Sequence, residues 1–382
     1  MNIKMQKLLP ISAAAMLFAT IATGAVADEV VKIGHVAPLT GQIAHLGKDN
    51  ENGARLAVEE INKKGLVIGG QKVTLQLDAQ DDAADPRTAT QVAQKLVDDK
   101  VVAVVGHLNS GTTIPASKIY SDAGIVQISP SATNPQYTLQ GFKTTFRVVA
   151  TDAQQGPALA NYAAQTLKLK KVAVVDDATA YGQGLANEFE KTAKSLGMQV
   201  LSHDATNDKA TDFRAILTKI KGEGPDAIMY GGMDATGGPF AKQARQLGIK
   251  AKILAGDGVC TDQLAQLAGD AADNVVCSEA GRSLEKMGKA GEEFQAKFKK
   301  RFGVPIQIYA PFTYDAVYII VDAMKRANST DPAKILAAMP STDYHGVIGE
   351  TTFDSHGDLK HGVISLYDYK AGKKTLLNEV SM

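Results

Sequence analysis

From Val30 onward the chain alternates short runs of β-branched residues with stretches of helical periodicity, and it runs through that alternation twice. Val30 to Val36, Val73 to Ala79, Val101 to Gly106 and Gly124 to Ser129 are rich in Val and Ile and bounded by Gly, Pro or polar residues, the pattern of strands. Between them, Ala54, Ala57, Val58 and Ile61 recur at i, i+3, i+4 and i+7. Ala89, Val92, Ala93, Leu96 and Val97 do so after Asp85-Pro86, where Asp can cap a helix and Pro fits its first turn. Strand followed by helix, repeated, closes as a parallel sheet.

The same grammar resumes near residue 150. Lys171 to Asp176, Val200 to Ala205, Asp226 to Gly231 and Lys252 to Asp257 read as strands, with helices from Gly184, Asp212 and Gly237; Leu185, Phe189, Ala193 and Leu196 form one apolar stripe. Two successive α/β units imply two lobes, for which 382 residues suffice. Further on, Ser283 to Phe302 reads as a charged helix and Tyr309 to Ala327 as a more apolar one. Val347 to Phe353 and Gly362 to Tyr369 read as late strands around the turn-rich stretch Asp354 to Asp358. These late elements are expected to join one sheet or the other, so the chain passes between lobes more than once.

The first 27 residues stand apart. A start carrying Lys4 and Lys7, an apolar run from Leu8 to Ile21 and small residues at Ala25 and Ala27 match a secretory signal cut after Ala27. A membrane anchor needs roughly 20 apolar residues, and Pro10, Ser12 and Thr20 interrupt this run. No Cys follows it to carry a lipid. The expected product is a soluble protein outside the cytoplasm. The 41 Lys and Arg balance 41 Asp and Glu with no basic block, which speaks against nucleic acid as partner. In an oxidising compartment the only two cysteines, Cys260 and Cys277, read as a disulfide, since neither has a His at metal-ligand spacing and no CxxC is present.

Motifs of catalysis are absent: there is no GxSxG, HExxH or GxxxxGK[ST], and the glycines around Tyr181 lack the spacing of a dinucleotide fingerprint. The seven His are scattered, and the acidic groups Asp78, Asp81, Asp82 and Asp85 and Asp354 to Asp358 read as helix caps and turns rather than cation sites. No enzyme, metal or cofactor is expected. The strand-to-helix loops carry more. Ligands of open α/β sheets bind beyond the carboxyl ends of strands, where helix N-termini point into a crevice. Gly106 to Thr113, containing Ser110 and Gly111, and Ser129 to Thr133, containing Ser131 and Ala132, offer small hydroxyl residues and free amides suited to a carboxylate, although Ser and Thr there could equally be helix caps. In the second unit Asp257, flanked by Gly256 and Gly258, could pair with an ammonium.

The start Val31-Lys32-Ile33-Gly34-His35-Val36-Ala37-Pro38-Leu39-Thr40-Gly41, the stretch Asp81 to Pro86, the Gly106-His107-Leu108 turn, Ser129 to Thr133, Tyr181-Gly182 and Gly256 to Val259 together resemble the periplasmic leucine/isoleucine/valine-binding proteins that feed ABC importers. The similarity runs in order along the mature chain. It implies the type I periplasmic-binding fold: two doubly wound, Rossmann-like α/β lobes joined by a three-segment hinge that closes over one amino acid. The implied boundaries are 28–149 with 280–358 for the first lobe and 150–279 with 359–382 for the second. By the same resemblance the ligand carboxylate falls to the Ser110 amide and Thr133, and the ammonium to the Ser131 carbonyl, the Thr133 hydroxyl and Asp257, which stands where relatives have Glu. Tyr181 and Tyr309 match aromatic positions. Leu46 and Met233 replace tyrosines, leaving an apolar wall of altered volume. Implied partners are a branched-chain amino acid and permease subunits, for a monomeric periplasmic protein. Another amino acid, an amide or an aromatic acid on the same fold is the alternative.

Overall fold

The computed structural model describes Met1 and residues 28–382; the signal expected at the N-terminus lies outside the described residues apart from Met1. Fifteen strands are described: β1 (Glu29–Ala37), β2 (Leu66–Ile68), β3 (Gln71–Asp81), β4 (Ala103–Gly106), β5 (Val126–Ser129), β6 (Thr145–Arg147), β7 (Lys171–Asp176), β8 (Gln199–Ala205), β9 (Ala227–Gly231), β10 (Lys252–Ala255), β11 (Val275–Glu279), β12 (Asp343–Gly346), β13 (Gly349–Thr352), β14 (Val363–Lys370) and β15 (Lys373–Ser381). They form a six-stranded sheet in the order β2-β3-β1-β4-β5-β6 and a seven-stranded sheet in the order β15-β14-β11-β10-β9-β7-β8. In each the central strands are parallel, and antiparallel pairing is confined to β2 with β3 and to β14 with β11 and β15.

The interior strands β4 and β9 are apolar on both faces because helices cover both, and they are buried at every residue. Helix entry follows the sequence chemistry: Asp85 caps it by accepting the Thr88 amide at 2.7 Å, with Pro86 in the first turn. The charged segment from Ser283 is broken instead. A short 3-10 turn, Leu284–Lys286, precedes the helix Gly288–Phe302, with Gly288 at φ +60° where an unbroken helix cannot pass.

The chain leaves the first sheet after β6, returns from β11 through the helices Gly288–Phe302 and Ala310–Ala327, and leaves again before β14. The crossing segments are bonded to one another: the Ala150 amide donates to Ala280 and the Arg147 amide to Gly357. Arg147, wholly buried, donates to Asp358 at 2.5 Å and to the carbonyls of Ala132 and Asn134. The Asp354–Asp358 turn is thereby tied to the first sheet. One expectation is corrected here. Val347 to Phe353 joins neither main sheet, since β13 pairs only with β12 in a separate hairpin. Asp315, on the apolar helix, accepts the Ile348 amide at 2.8 Å and holds the hairpin there.

Candidate ligand-binding cleft

The carboxyl ends of both sheets meet across a cleft. Ser110 is the first residue of the helix Ser110–Asp122, so its amide and that of Gly111 have no acceptor within the helix. The loop before it is fixed from below. His107 contacts Asp82 at 2.9 Å and the Tyr120 hydroxyl at 3.0 Å, and its carbonyl accepts the Ser129 hydroxyl at 2.9 Å. Ser129 in turn accepts the Ala132 amide at 2.9 Å, and Ser131 donates to the Leu108 carbonyl at 3.1 Å. The two serine-bearing loops are therefore one rigid surface.

Opposite, Asp257 follows β10 and is 1% exposed. It accepts three hydrogen bonds: from Gln155 Nε2 at 2.9 Å, from the Tyr181 hydroxyl at 2.9 Å and from the Tyr309 hydroxyl at 2.6 Å. Burial pushes its pKa up, and the donors from Tyr309, Gln155 and Tyr181 oppose that shift. Tyr181 also accepts the Gly258 amide at 2.9 Å. Gly258 leaves no room for a side chain, because a Cβ there would lie 2.6 Å from Met233 Sδ and 2.9 Å from the Gly232 carbonyl. Tyr309 precedes the helix Ala310–Ala327, which packs on the first sheet. Asp49 sets its position by accepting the amides of Gln307, Ile308, Tyr309 and Ala310 at 2.8 to 3.1 Å, capping the helix Ala310–Ala327.

Ser110, Ser131, Tyr181, Met233, Asp257 and Tyr309 share the lining of an inner cavity of about 10 Å³, so the lobes stand nearly shut on it. A larger chamber of about 570 Å³ continues outward between the lobes. It shares Tyr181 and Met233 with the inner cavity, takes in Gly111, and is walled by Thr40 to Ile43 on one side and Asp177 to Ala180 and Asn207 to Lys209 on the other. Leu46, Ala132 and Thr133 are not among the residues lining either space. Leu46 is turned into an apolar cluster with Ile43, Leu108, Ile308 and Tyr309, while Ala132 and Thr133 lie buried in the loop behind Ser131. Sequence reasoning missed Gln155, whose side-chain carbonyl accepts Ser278 at 2.7 Å and so aims its amide at Asp257. It also missed Asp49, and a contact between lobes at the rim, His45 Nε2 to Asp234 Oδ2 at 2.7 Å. Cys260, three residues beyond Asp257, is joined by a disulfide to Cys277 on β11. No group of His, Cys, Asp and Glu that could hold a metal ion exists among the described residues.

Two doubly wound sheets facing one another over a cleft, with free amides on one wall and a buried acid on the other, define the type I periplasmic-binding fold of solute receptors. Residues 30–373 match the family model described as periplasmic binding protein. The chain belongs to that family, within the substrate-binding proteins of branched-chain amino acid ABC transporters. It is 37% identical over 357 residues to Leu/Ile/Val-binding protein homolog 1 of Brucella abortus (strain 2308), covering 93% of this chain and 95% of that protein. The substrate-binding protein LivJ of Streptococcus pneumoniae, solved in complex with isoleucine, superposes with a TM-score of 0.84 at 29% identity, covering 93% of this chain and 100% of that one. A solute-binding protein of R. palustris solved with benzoate shares the fold, with a TM-score of 0.82 at 21% identity, covering 92% and 96%. Proteins of this family bind solutes and are not enzymes.

Proposed function

We propose that this protein is the extracytoplasmic receptor of an importer and that its ligand is a branched-chain α-amino acid, leucine, isoleucine or valine, held between the lobes and passed to the membrane permease. The observation that carries the reading is Asp257: a wholly buried acid, hydrogen-bonded to Tyr309, that shares the lining of the inner cavity with Ser110 and Ser131. The amides at Ser110 and Gly111 suit the ligand carboxylate and Asp257 its ammonium. Tyr181 and Met233 offer apolar surface to an aliphatic chain, worth roughly 0.8 kcal/mol per buried CH₂. Micromolar affinity requires about −8 kcal/mol, within reach of a few charge-assisted hydrogen bonds and one such side chain. Because contacts come from both lobes, binding favours the closed form, which a permease can read.

The lobes are assigned to 28–149 with 280–358 and to 150–279 with 359–382, a division that the membership of the two sheets supports. Export with cleavage after Ala27, residence in the periplasm and a monomeric state belong to the same reading. An aromatic acid is the second candidate, suggested by the benzoate-bound protein of like fold. It would leave Asp257 without a cation. The test is calorimetry on protein unfolded and refolded to strip ligand. One site for leucine, isoleucine or valine is expected; heat from benzoate with silence from all three amino acids would overturn the assignment.

A further inference from the structure

Asp152 opens the helix Asp152–Asn161 immediately after the first crossing between lobes, and it is 0% exposed. Neither of its carboxyl oxygens makes a hydrogen bond of ordinary geometry among the described residues, nor does the hydroxyl of Thr133, which still lies near enough to favour the Asp152 carboxylate; the Thr133 carbonyl accepts the Asp152 amide at 2.8 Å. Buried polar groups left open in this way are uncommon and call for an account. Asp257 beside them is in the opposite state, its oxygens already accepting from Tyr309, Gln155 and Tyr181. An ammonium brings three donors. Three of the roughly four acceptor sites of Asp257 are taken, which leaves room for one of those donors, whereas Thr133 and Asp152 are largely open.

Resting on the α-amino-acid reading, we propose that Asp152 is a positioning residue for the ligand ammonium. As a carboxylate it accepts the Thr133 O–H, turning that oxygen's lone pairs toward the ammonium, and ligand entry expels one proton from the Asp152 and Asp257 pair to solvent. No bond but O–H is broken, and the buffer takes the proton. The charged groups around Asp152 fit this role. Asp257 faces it from the loop after β10 and Glu188 from the helix Ala180–Ser195, against Arg147 on β6, with the Tyr181 hydroxyl also near. Burial first, and then repulsion by Asp257, lift the Asp152 carboxyl to about 8, so it holds a proton at neutral pH until a cation arrives. The cation lowers that value in the complex. By linkage, affinity must rise with pH up to about 8 and level off above it.

The experiment is calorimetry of L-leucine, L-isoleucine and L-valine in phosphate and in Tris, on both sides of pH 8, for the wild type and Asp152→Asn. Wild type is expected to release a fraction of a proton approaching one, with affinity climbing as pH rises. Asp152→Asn is expected to bind roughly tenfold more weakly, with no proton release and a flat profile below pH 8. Wild-type binding with the same proton count and slope in the variant overturns the inference alone. Silence of the wild type toward all three overturns the ligand reading and this inference with it. Should Asp152→Asn fail to fold, Thr133→Ser and Thr133→Val carry the test: Ser is expected to keep the proton release and Val to lose it, and equal release in both overturns the proposal.

Discussion

Tyr309 donates a hydrogen bond of 2.6 Å to Asp257, joining the N-terminus of a helix that packs on the first sheet to the loop after β10 of the second. Both groups are buried, so little water competes for the bond or screens it. Asp257→Asn is expected to weaken an α-amino acid by about 10- to 100-fold, the loss of one such bond to a charged group, while the des-amino analogue is hardly affected. Calorimetry of both ligands on both proteins checks this, and parallel losses would remove Asp257 from the ammonium.

Asp49 holds Tyr309 in place through four amides. Asp49→Ala leaves those donors unsatisfied and is expected to cost about 2 to 4 kcal/mol of stability, read as the shift in urea midpoint, and to weaken ligand binding as Tyr309 loosens. Unchanged stability would mean that water replaces the carboxylate without loss.

Much of this was written in the sequence, and the reason is local. Parallel strands buried on both faces read as unbroken Val and Ile runs, and capped helices start where Asp, Pro and Thr say they should, as at Asp85-Pro86 and Thr179. The loops bearing Ser110, Ser131 and Asp257 could be found because ligand sites lie at strand ends. Gln155 and Asp152 could not. An acid and an amide in the first turn of a helix look like ordinary capping, and only the fold brings Gln155 Nε2 within 2.9 Å of Asp257, 102 residues away. The hairpin of β12 and β13 was misjudged for a related reason: its short alternating pattern fits an edge strand of either sheet equally well.

The Cys260–Cys277 disulfide closes a loop across 17 positions and ties the segment after Asp257 to β11. Replacing both by Ser is expected to lower stability by about 3 kcal/mol through release of the unfolded chain. Calorimetric melting of the pair variant beside the reduced wild type measures it, and equal melting of oxidised wild type and variant would contradict the estimate.

Five buried acids, Asp49, Asp152, Asp177, Asp257 and Asp315, share one direction of titration. Burial is the largest cause that raises Asp177 to about 6, Asp315 to about 7 and Asp152 to about 8. Each binds its proton more tightly folded than unfolded, so the native state holds more protons and unfolding free energy falls as pH climbs from about 4 to about 8. Urea midpoints across that range are expected to decline, with Asp315→Asn flattening the slope around pH 7. A midpoint that rises through the window would refute the sign.

At the rim, His45 reaches across to Asp234, which Thr261 also engages at 2.6 Å. His45→Ala removes a contact available only when the lobes are together, and a several-fold rise in Kd is expected from the smaller closed population. Small-angle scattering of the ligand-stripped proteins should give the variant the larger radius; identical curves with identical Kd would make the contact incidental.

The hairpin of β14 and β15 closes one side of the second sheet against β11, made some ninety residues earlier. The second half therefore cannot seal until β14 has been made, and a product lacking β14 and β15 would present the bare flank of β11 to any passing strand or protease. Neither half can be cut out of the gene as one continuous piece, so swapping binding specificities between relatives has to be done by surface grafting rather than by exchanging whole segments.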